Sequence, residues 1–215
     1  ANVVVASAGE YSTCAINSNG NASCWGRGAD GALGVGDFND RLVPTDIATS
    51  ELQAIEVCET HGCARALDNR LICWGRNNFG EAGDDTTAEH AVPFETGITG
   101  VLDTAMVDRA TCIIDAGGNV QCVGINDAGQ LGQGDMMNRV NLTDVAGLPT
   151  MREIVGGEHE HFCAISTSDD LFCWGDNSQG QIGDGSTTTR TTPFQVPIAA
   201  PVVSVGVGAF HTCAV

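Results

Sequence analysis

Cysteine is the residue type whose spacing in this 215-residue chain points most clearly to chemistry. Eight of the ten cysteines form four pairs in which the second follows the first by ten residues: Cys14 and Cys24, Cys63 and Cys73, Cys112 and Cys122, Cys163 and Cys173. Such a pair could ligate zinc, exchange electrons or form a structural disulfide. The zinc interpretation lacks the short Cys-x-x-Cys chelate and a histidine that recurs with each pair. The spacing therefore favours disulfides.

Each cysteine pair flanks a short segment rich in turn formers, such as "NSNGN" after Cys14 and "DAGGN" after Cys112. A ten-residue spacing around a tight turn brings both side chains to facing positions of a β-hairpin, where a disulfide fits. We therefore predict four intra-unit disulfides, each stabilising the fold by about 2–3 kcal/mol. Four disulfides predict an oxidising compartment, so we expect a secreted or cell-surface protein.

Two cysteines remain outside these pairs, Cys58 and Cys213. Cys213 stands where a fifth pair would begin, and its partner would lie beyond the last residue of the sequence. Cys58 precedes Cys63 by five residues, at a place where the first and fifth units carry Gly9 and Gly208. The sequence leaves three states open for Cys58: a free thiol, a bond across units, or a bond to a group absent here.

The cysteine pairs belong to a longer repeat. First cysteines recur every 49 to 51 residues, and a Gly-x-x-Gly signature begins seven residues after each second cysteine. A proline follows further on at Pro44, Pro93 and Pro193, but the third unit has Leu142 there and Val123 in place of the usual Trp. The sequence thus divides into repeats 3–51, 52–100, 101–151, 152–201 and a partial 202–215, within a single, incomplete domain 1–215.

Within a unit, short apolar or β-branched runs alternate with Gly, Asn and Asp, and no segment keeps a helical period. One small twisted sheet cannot bury both of its faces, whereas stacked sheets can. Units of about 50 residues with several short strands are typical of propeller blades. We predict an all-β fold, a β-propeller with four full blades and part of a fifth.

The segments "AGEYSTCAI", "CWGRGADGALGVGD" and "GAFHTCAV" resemble the repeat of the regulator of chromosome condensation family, in its cysteine-containing form from exported bacterial proteins. The resemblance covers essentially the whole chain. It implies a seven-bladed ring, so either this chain is a fragment of a longer protein or blades from different chains assemble into one ring. The family includes exchange factors for small GTPases, a β-lactamase inhibitor and photoreceptor relatives, so the resemblance implies protein recognition by loops rather than one activity.

The net charge of the chain argues against some classes of binding partner. The chain has 27 acidic residues, nine arginines and no lysine, for a formal net charge of −18. Nucleic-acid binding draws on clustered basic charge, so we expect no nucleic-acid partner. No apolar run is long enough to span a bilayer, so we expect no membrane span either. The sequence opens without a signal-peptide core, and we expect any export signal to be already removed.

The candidate binding residues are those that vary inside the constant frame. The two residues before the "H-T-C" position differ in every unit, and equivalent turns of successive blades would line one face of a ring. The predicted binding residues are Glu10, Tyr11, Thr60, Asp108, Arg109, His159, Glu160 and Phe210. Aromatic and arginine side chains on such a rim are typical binding anchors. Tolerant surface turns are the alternative explanation. A second variable loop follows each "CWG" or "CVG".

Other candidates have structural explanations. His61, His161 and His211 recur two residues before a first cysteine, but Ser12 and Ala110 hold the same place, which favours blade packing over acid–base chemistry. The three tryptophans that follow second cysteines are predicted to be core residues. The acidic loops "GDDTT" and "GDGSTT" lack the alternating ligands of a known calcium loop, and we predict neither a metal site nor a cofactor.

Two classes of function remain. The first is a non-catalytic extracellular propeller that binds a protein, or copies of itself, through its variable loops. The second is the propeller part of an exported enzyme, such as one acting on polysaccharide. No phosphate-binding loop or nucleophile elbow is present, and the variation is spread evenly around the frame, which favours the first.

Overall fold

The computed structural model describes residues 2–215 and confirms the all-β propeller class. Each repeat forms one four-stranded antiparallel sheet, here called a blade, whose strands lie side by side in chain order. Blade 1 comprises β1 Val3–Ala8, β2 Ser12–Asn17, β3 Ala22–Gly26 and β4 Arg41–Asp46. Blade 2 comprises β5 Leu52–Val57, β6 His61–Ala66, β7 Leu71–Gly75 and β8 His90–Glu95.

The later units repeat this plan. Blade 3 comprises β9 Asp103–Val107, β10 Ala110–Ile114, β11 Val120–Gly124 and β12 Arg139–Asp144. Blade 4 comprises β13 Met151–Gly156, β14 His161–Ser166, β15 Leu171–Gly175 and β16 Arg190–Gln195. Blade 5 is a partial sheet of β17 Val205–Val207 and β18 Thr212–Ala214. The one helical element of residues 2–215 is a 3-10 turn at Ala29–Gly31, so no helix in this range could cross a bilayer.

The four predicted disulfides are present. In each blade the second and third strands form a hairpin, and the two cysteines are direct cross-strand partners. Their Cα atoms lie 4.1–4.2 Å apart, close to the spacing of a non-hydrogen-bonded antiparallel pair. Each disulfide therefore ties the two central strands of its blade, buried between neighbouring sheets.

A glycine ends each third strand because the backbone there has a positive φ. These glycines have φ between 97° and 114° and are Gly26, Gly75, Gly124 and Gly175. A Cβ at Gly26 would lie 2.2 Å from the Tyr11 carbonyl oxygen, and a Cβ at Gly75 would lie 2.6 Å from that of Thr60. Only glycine allows this conformation and this close approach. The glycine therefore allows the end of the third strand to lie directly against the variable turn.

A separate hydrophobic core fills each junction between blades. The core between blades 1 and 2 joins Ile16 and Leu33 to Leu52 and Trp74, all of them buried. The first strands of neighbouring blades contact one another and line the axis of the propeller. Blades are thus held together by side chains at their faces, as stacking of incomplete units requires.

The junctions use two kinds of polar contact. Where blade 2 meets blade 1 and blade 4 meets blade 3, a tryptophan indole N–H donates to a loop carbonyl: Trp74 to Ala32 at 2.9 Å, and Trp174 to Gln130 at 2.8 Å. At the other two junctions, a histidine Nε2 lies beside a threonine hydroxyl of the next blade: His61 and Thr111 at 2.9 Å, His161 and Thr212 at 3.2 Å. Burial lowers the pKa of each histidine to about 4, so both are neutral packing groups.

The two departures in the third repeat do not disturb its packing. Val123 stands where other repeats carry Trp, and it is fully buried. Leu142 replaces the proline and packs against the core between blades 2 and 3. Trp25 and His211 differ from their equivalents in being partly and largely exposed, respectively.

Candidate functional site

The variable turns and the second variable loops lie together on one end of the blades, here called the loop face. It comprises residues 10–11, 27–30, 59–60, 76–79, 108–109, 125–128, 159–160, 176–179 and 209–210. In each complete blade, the first residue of the second loop donates its backbone N–H to the carbonyl of the variable turn. Arg27 donates to Tyr11 at 2.9 Å and Arg76 to Thr60 at 3.0 Å, and Ile125 and Asp176 repeat the contact in blades 3 and 4.

Blades 1 and 2 share the first side-chain contact of this face. Tyr11 is half exposed, and the Arg27 guanidinium lies over its ring, 5.4 Å from the centroid. Arg27 also forms an ion pair with Glu59 of blade 2, with an Nη1 to Oε1 distance of 2.9 Å. Exposed Glu10 raises the pKa of the Tyr11 phenol, so the ring keeps its hydroxyl proton as a donor. Arg27 thus fixes an exposed aromatic side chain beside the junction.

Thr60 corrects one of the sequence-based predictions. Its side chain is buried rather than presented on the rim, because its hydroxyl donates to the Asp108 carbonyl of blade 3 at 2.8 Å. Thr60 therefore joins two blades, and we remove it from the candidate binding residues.

Arg109 is the centre of the face at the junctions of blades 2, 3 and 4. Its guanidinium lies 3.0 Å from Asp108 and 3.7 Å from Glu160 of blade 4. It also lies 5.8 Å from the centroid of the Phe79 ring, and Arg76 lies at the same distance from that ring. Two guanidinium groups therefore lie over the Phe79 ring, a geometry that favours a rigid aromatic anchor.

Blades 4 and 5 meet through an aromatic pair. The His159 imidazole stacks on the Phe210 ring with 4.4 Å between centroids, and both side chains are exposed. Beside them, desolvation and the Asp127 carboxylate raise the pKa of Glu160 to about 7. This environment favours the protonated form of the Glu160 carboxyl group more than water does.

Several residues of the face escaped the sequence-based prediction. The second loops had only a weak signal, because Phe79 is their single aromatic residue. The structure nevertheless places Arg27, Arg76, Phe79 and Asp127 against predicted rim residues. The glycine that ends each third strand was the available signal, since it brings this loop back to the variable turn.

Cys58 is a buried thiol in blade 2, and it forms no disulfide with another cysteine of residues 2–215. Its sulfur is buried 3.0 Å from His61 Nδ1, and burial raises the pKa of the thiol to about 12. A neutral thiol beside a neutral imidazole has no thiolate with which to attack a substrate. Cys213 has no disulfide partner within residues 2–215, and it is exposed.

The acidic loops use their carboxylates internally. Asp84 accepts hydrogen bonds from Asn77 and Thr86, and Asp184 accepts them from Asn177 and Ser186. Across residues 2–215, no group of three or more His, Cys, Asp or Glu side chains is arranged to hold a metal ion.

Four-stranded antiparallel blades that recur about every 50 residues, each packed on the next, define the chain as part of a β-propeller. Residues 19–64 and 168–215 match the family model described as "Regulator of chromosome condensation (RCC1) repeat", and residues 153–181 match a second model of the same description. The chain belongs to the RCC1 repeat family.

Two relatives align over most of the chain. The ultraviolet-B receptor UVR8 of Arabidopsis thaliana is 29% identical over 202 residues, which cover 90% of this chain and 46% of that protein. The human E3 ubiquitin-protein ligase HERC2 is 29% identical over 223 residues, 99% of this chain and 5% of that protein. The chain spans about half of UVR8 and a small part of HERC2.

Solved structures show the same fold. Human WBSCR16 superposes with a TM-score of 0.90 at 23% identity, over 99% of this chain and 57% of that one. Yeast RCC1 (Prp20), solved bound to Kap60, superposes with a TM-score of 0.87 at 19% identity, over 98% of this chain and 53% of that one. At such identities the likeness concerns the fold alone.

Proposed function

We propose that this chain is part of a non-catalytic propeller that binds a protein partner, or a second copy of itself, through its loop face. One observation carries the proposal: varied side chains form a row of contacts from blade to blade along this face. The row runs through Tyr11, Arg27 and Glu59, then Phe79, Arg109 and Glu160, and ends at His159 and Phe210.

The physical character of the row supports recognition. Tyrosine and arginine are among the side chains enriched at binding hot spots, and the large aromatic rings add contact area. Here each ring is already held by a guanidinium or an imidazole, so less conformational entropy is lost on binding. The constant residues of the frame are accounted for by the construction of blades. Only residues that differ between blades can form an asymmetric surface.

Structural neighbours support protein recognition in this fold. Yeast RCC1 (Prp20) was solved in complex with Kap60. Prp20p of Saccharomyces cerevisiae was solved together with a description of its binding to Gsp1p and histones. A protein-binding role for the present chain extends this theme to a disulfide-stabilised member of the family.

The four disulfides support an extracellular or cell-surface site of action, because disulfides of this kind persist in oxidising compartments. The formal net charge of −18 is consistent with solubility in such a setting and disfavours contact with nucleic-acid phosphates.

Alanine substitution at the face tests the proposal. In capture of the partner from the native source, Tyr11→Ala, Arg109→Ala, His159→Ala and Phe210→Ala are each measured beside the unchanged protein. Loss of a central anchor is expected to weaken binding by about 2 kcal/mol or more. The melting temperature should hardly change, because these side chains lie outside the blade cores.

Leu67→Ala and Arg70→Ala are matched controls in the hairpin turn at the opposite end of β6. Leu67 is 66% exposed, and Arg70 is an ion-paired surface arginine like Arg109. Both controls should bind normally. If all four face variants folded and bound like the controls, the loop face would not be the recognition surface.

A further inference from the structure

A cavity of 430 Å³ opens on the loop face at the axis of the propeller, and we call it the axial funnel. All five units contribute lining residues from their first strands: Ser7, Glu56, Met106, Gly156 and Val207. The residues just after these strands, including Glu10 and Glu158, form its mouth. The funnel is therefore a concave centre within the row of rim residues.

The ionisable side chains that line the funnel are mostly acidic. Its lining contains four glutamates, no arginine and one exposed histidine, His211; the glutamates are Glu10, Glu56, Glu59 and Glu158. Glu59 is neutralised by Arg27. The other three carboxyl groups have no ion-pair partner within residues 2–215.

Glu56 lies deepest of these glutamates, on β5, and no hydrogen bond reaches its carboxyl group from the part of the chain described. Burial together with the Asp103 carboxylate raises its pKa to about 8. An acidic group without a partner in such a place is costly to ionise, and an incoming positive charge would offset that cost.

The separation of these carboxyl groups distinguishes between a metal ion and basic side chains as the cation that would bind. They do not converge in a geometry that would hold a metal ion, as far as residues 2–215 show. Separate positive charges on flexible side chains match the arrangement better. The funnel wall between the glutamates is apolar at Val57, Met106 and Val207, and the alkyl stems of lysine or arginine pack well on such a surface.

We propose that the axial funnel receives a basic segment of the protein partner, with lysine or arginine side chains placed against Glu10, Glu56 and Glu158. This inference rests on the proposed function, because it names the chemistry of the partner that the loop face binds. The rim residues hold the outside of the partner, and the funnel selects for positive charge at its centre.

The absence of lysine from the chain allows a direct test. A short peptide of alternating lysine and glycine is coupled to the folded protein with a carbodiimide, which joins carboxylates to amines. Since no lysine of the chain can compete, lysine-linked products must come from the peptide. Peptide mapping is expected to find the links concentrated at Glu10, Glu56 and Glu158. Links spread over exposed acids such as Glu89 and Asp170 would overturn the proposal.

Equilibrium binding of the same peptide gives the second readout. Glu10→Gln with Glu158→Gln is expected to weaken binding by about fivefold or more, and the effect should shrink as salt is added. The control Glu89→Gln with Asp170→Asn removes the same charge from exposed sites without ion pairs. Equal losses in the two double variants would show attraction by net charge alone and would refute the funnel.

The partner assay separates this inference from the proposed function. If the rim alanine variants lose the native partner while Glu10→Gln with Glu158→Gln retains it, the loop face binds but the funnel does not select charge. If both sets retain the partner, the proposed function itself fails.

Discussion

Blades 1 and 2 are joined through an indole, whereas blades 2 and 3 are joined through an imidazole. At the first junction Trp74 covers Gly62, where an added Cβ would lie 2.6 Å from the ring. At the second junction the smaller Val123 is the cross-strand partner of Thr111. The Thr111 hydroxyl lies beside His61 of blade 2. The same backbone frame therefore supports a junction filled by a large indole and a junction that carries a smaller histidine–threonine contact, so the repeat fixes blade geometry rather than junction chemistry.

The size of the buried side chain should separate the two junctions most strongly. Trp74→Ala is expected to lower the free energy of unfolding by about 3–5 kcal/mol, because it leaves a large cavity and an unpaired Ala32 carbonyl. Val123→Ala removes only two methyl groups and should cost about 2 kcal/mol. Chemical denaturation of the two variants measures both values. Equal losses would show that the junctions do not differ in this way.

The stability of the junction between blades 2 and 3 should also respond to acid. The pKa of His61 is about 4 in the fold, below the ordinary value of 6.5, so the unfolded chain binds the proton more readily. Its contribution to stability is complete above pH 6.5 and is lost as the pH falls to 4, by roughly 3 kcal/mol.

The matched variants for this prediction are His61→Gln and His159→Gln. The first removes the buried titrating group, so stability should fall less between pH 6.5 and 4 than in the unchanged protein. The second removes an exposed imidazole instead of a buried one, so its loss of stability between pH 6.5 and 4 should stay closer to that of the unchanged protein. Parallel profiles for all three proteins would exclude His61 as the source of the acid sensitivity.

Disulfides should not distinguish the junctions. Cys63→Ala with Cys73→Ala and Cys112→Ala with Cys122→Ala open loops of the same length, so each double variant should lose about 2–3 kcal/mol. Peptide maps without reduction establish the remaining links before unfolding is measured. A loss of stability in only one of the two double variants would mean that this disulfide also stabilises the junction beside it.

The sequence predicted the parts of the molecule that depend on local spacing. The ten-residue cysteine spacing and the turn formers between the cysteines determine a hairpin register, and the structure has those four disulfides. The 49 to 51 residue step determines blade length, and it predicted the propeller class. Both patterns arise within one blade, where each strand pairs with its neighbour in the chain.

Contacts between blades were not predictable in the same way. The burial of Thr60 follows from a carbonyl 48 residues further along, and Phe79 meets Arg109 only after two blades are stacked. The funnel needs five first strands side by side before Glu10, Glu56 and Glu158 share one cavity. The spacing of residues within a single repeat does not predict these contacts, because they depend on how one sheet twists against the next.

Backbone amide exchange of the partner-bound protein tests the central claim most directly, because it maps contact without any substitution. The loop-face segments 10–11, 59–60, 76–79, 108–109 and 159–160 are predicted to exchange more slowly with the captured partner than without it. The hairpin turns at the opposite end, residues 18–20, 67–70, 116–118 and 167–170, should exchange equally in both states. Protection of those turns with an unchanged loop face would contradict recognition through the varied residues.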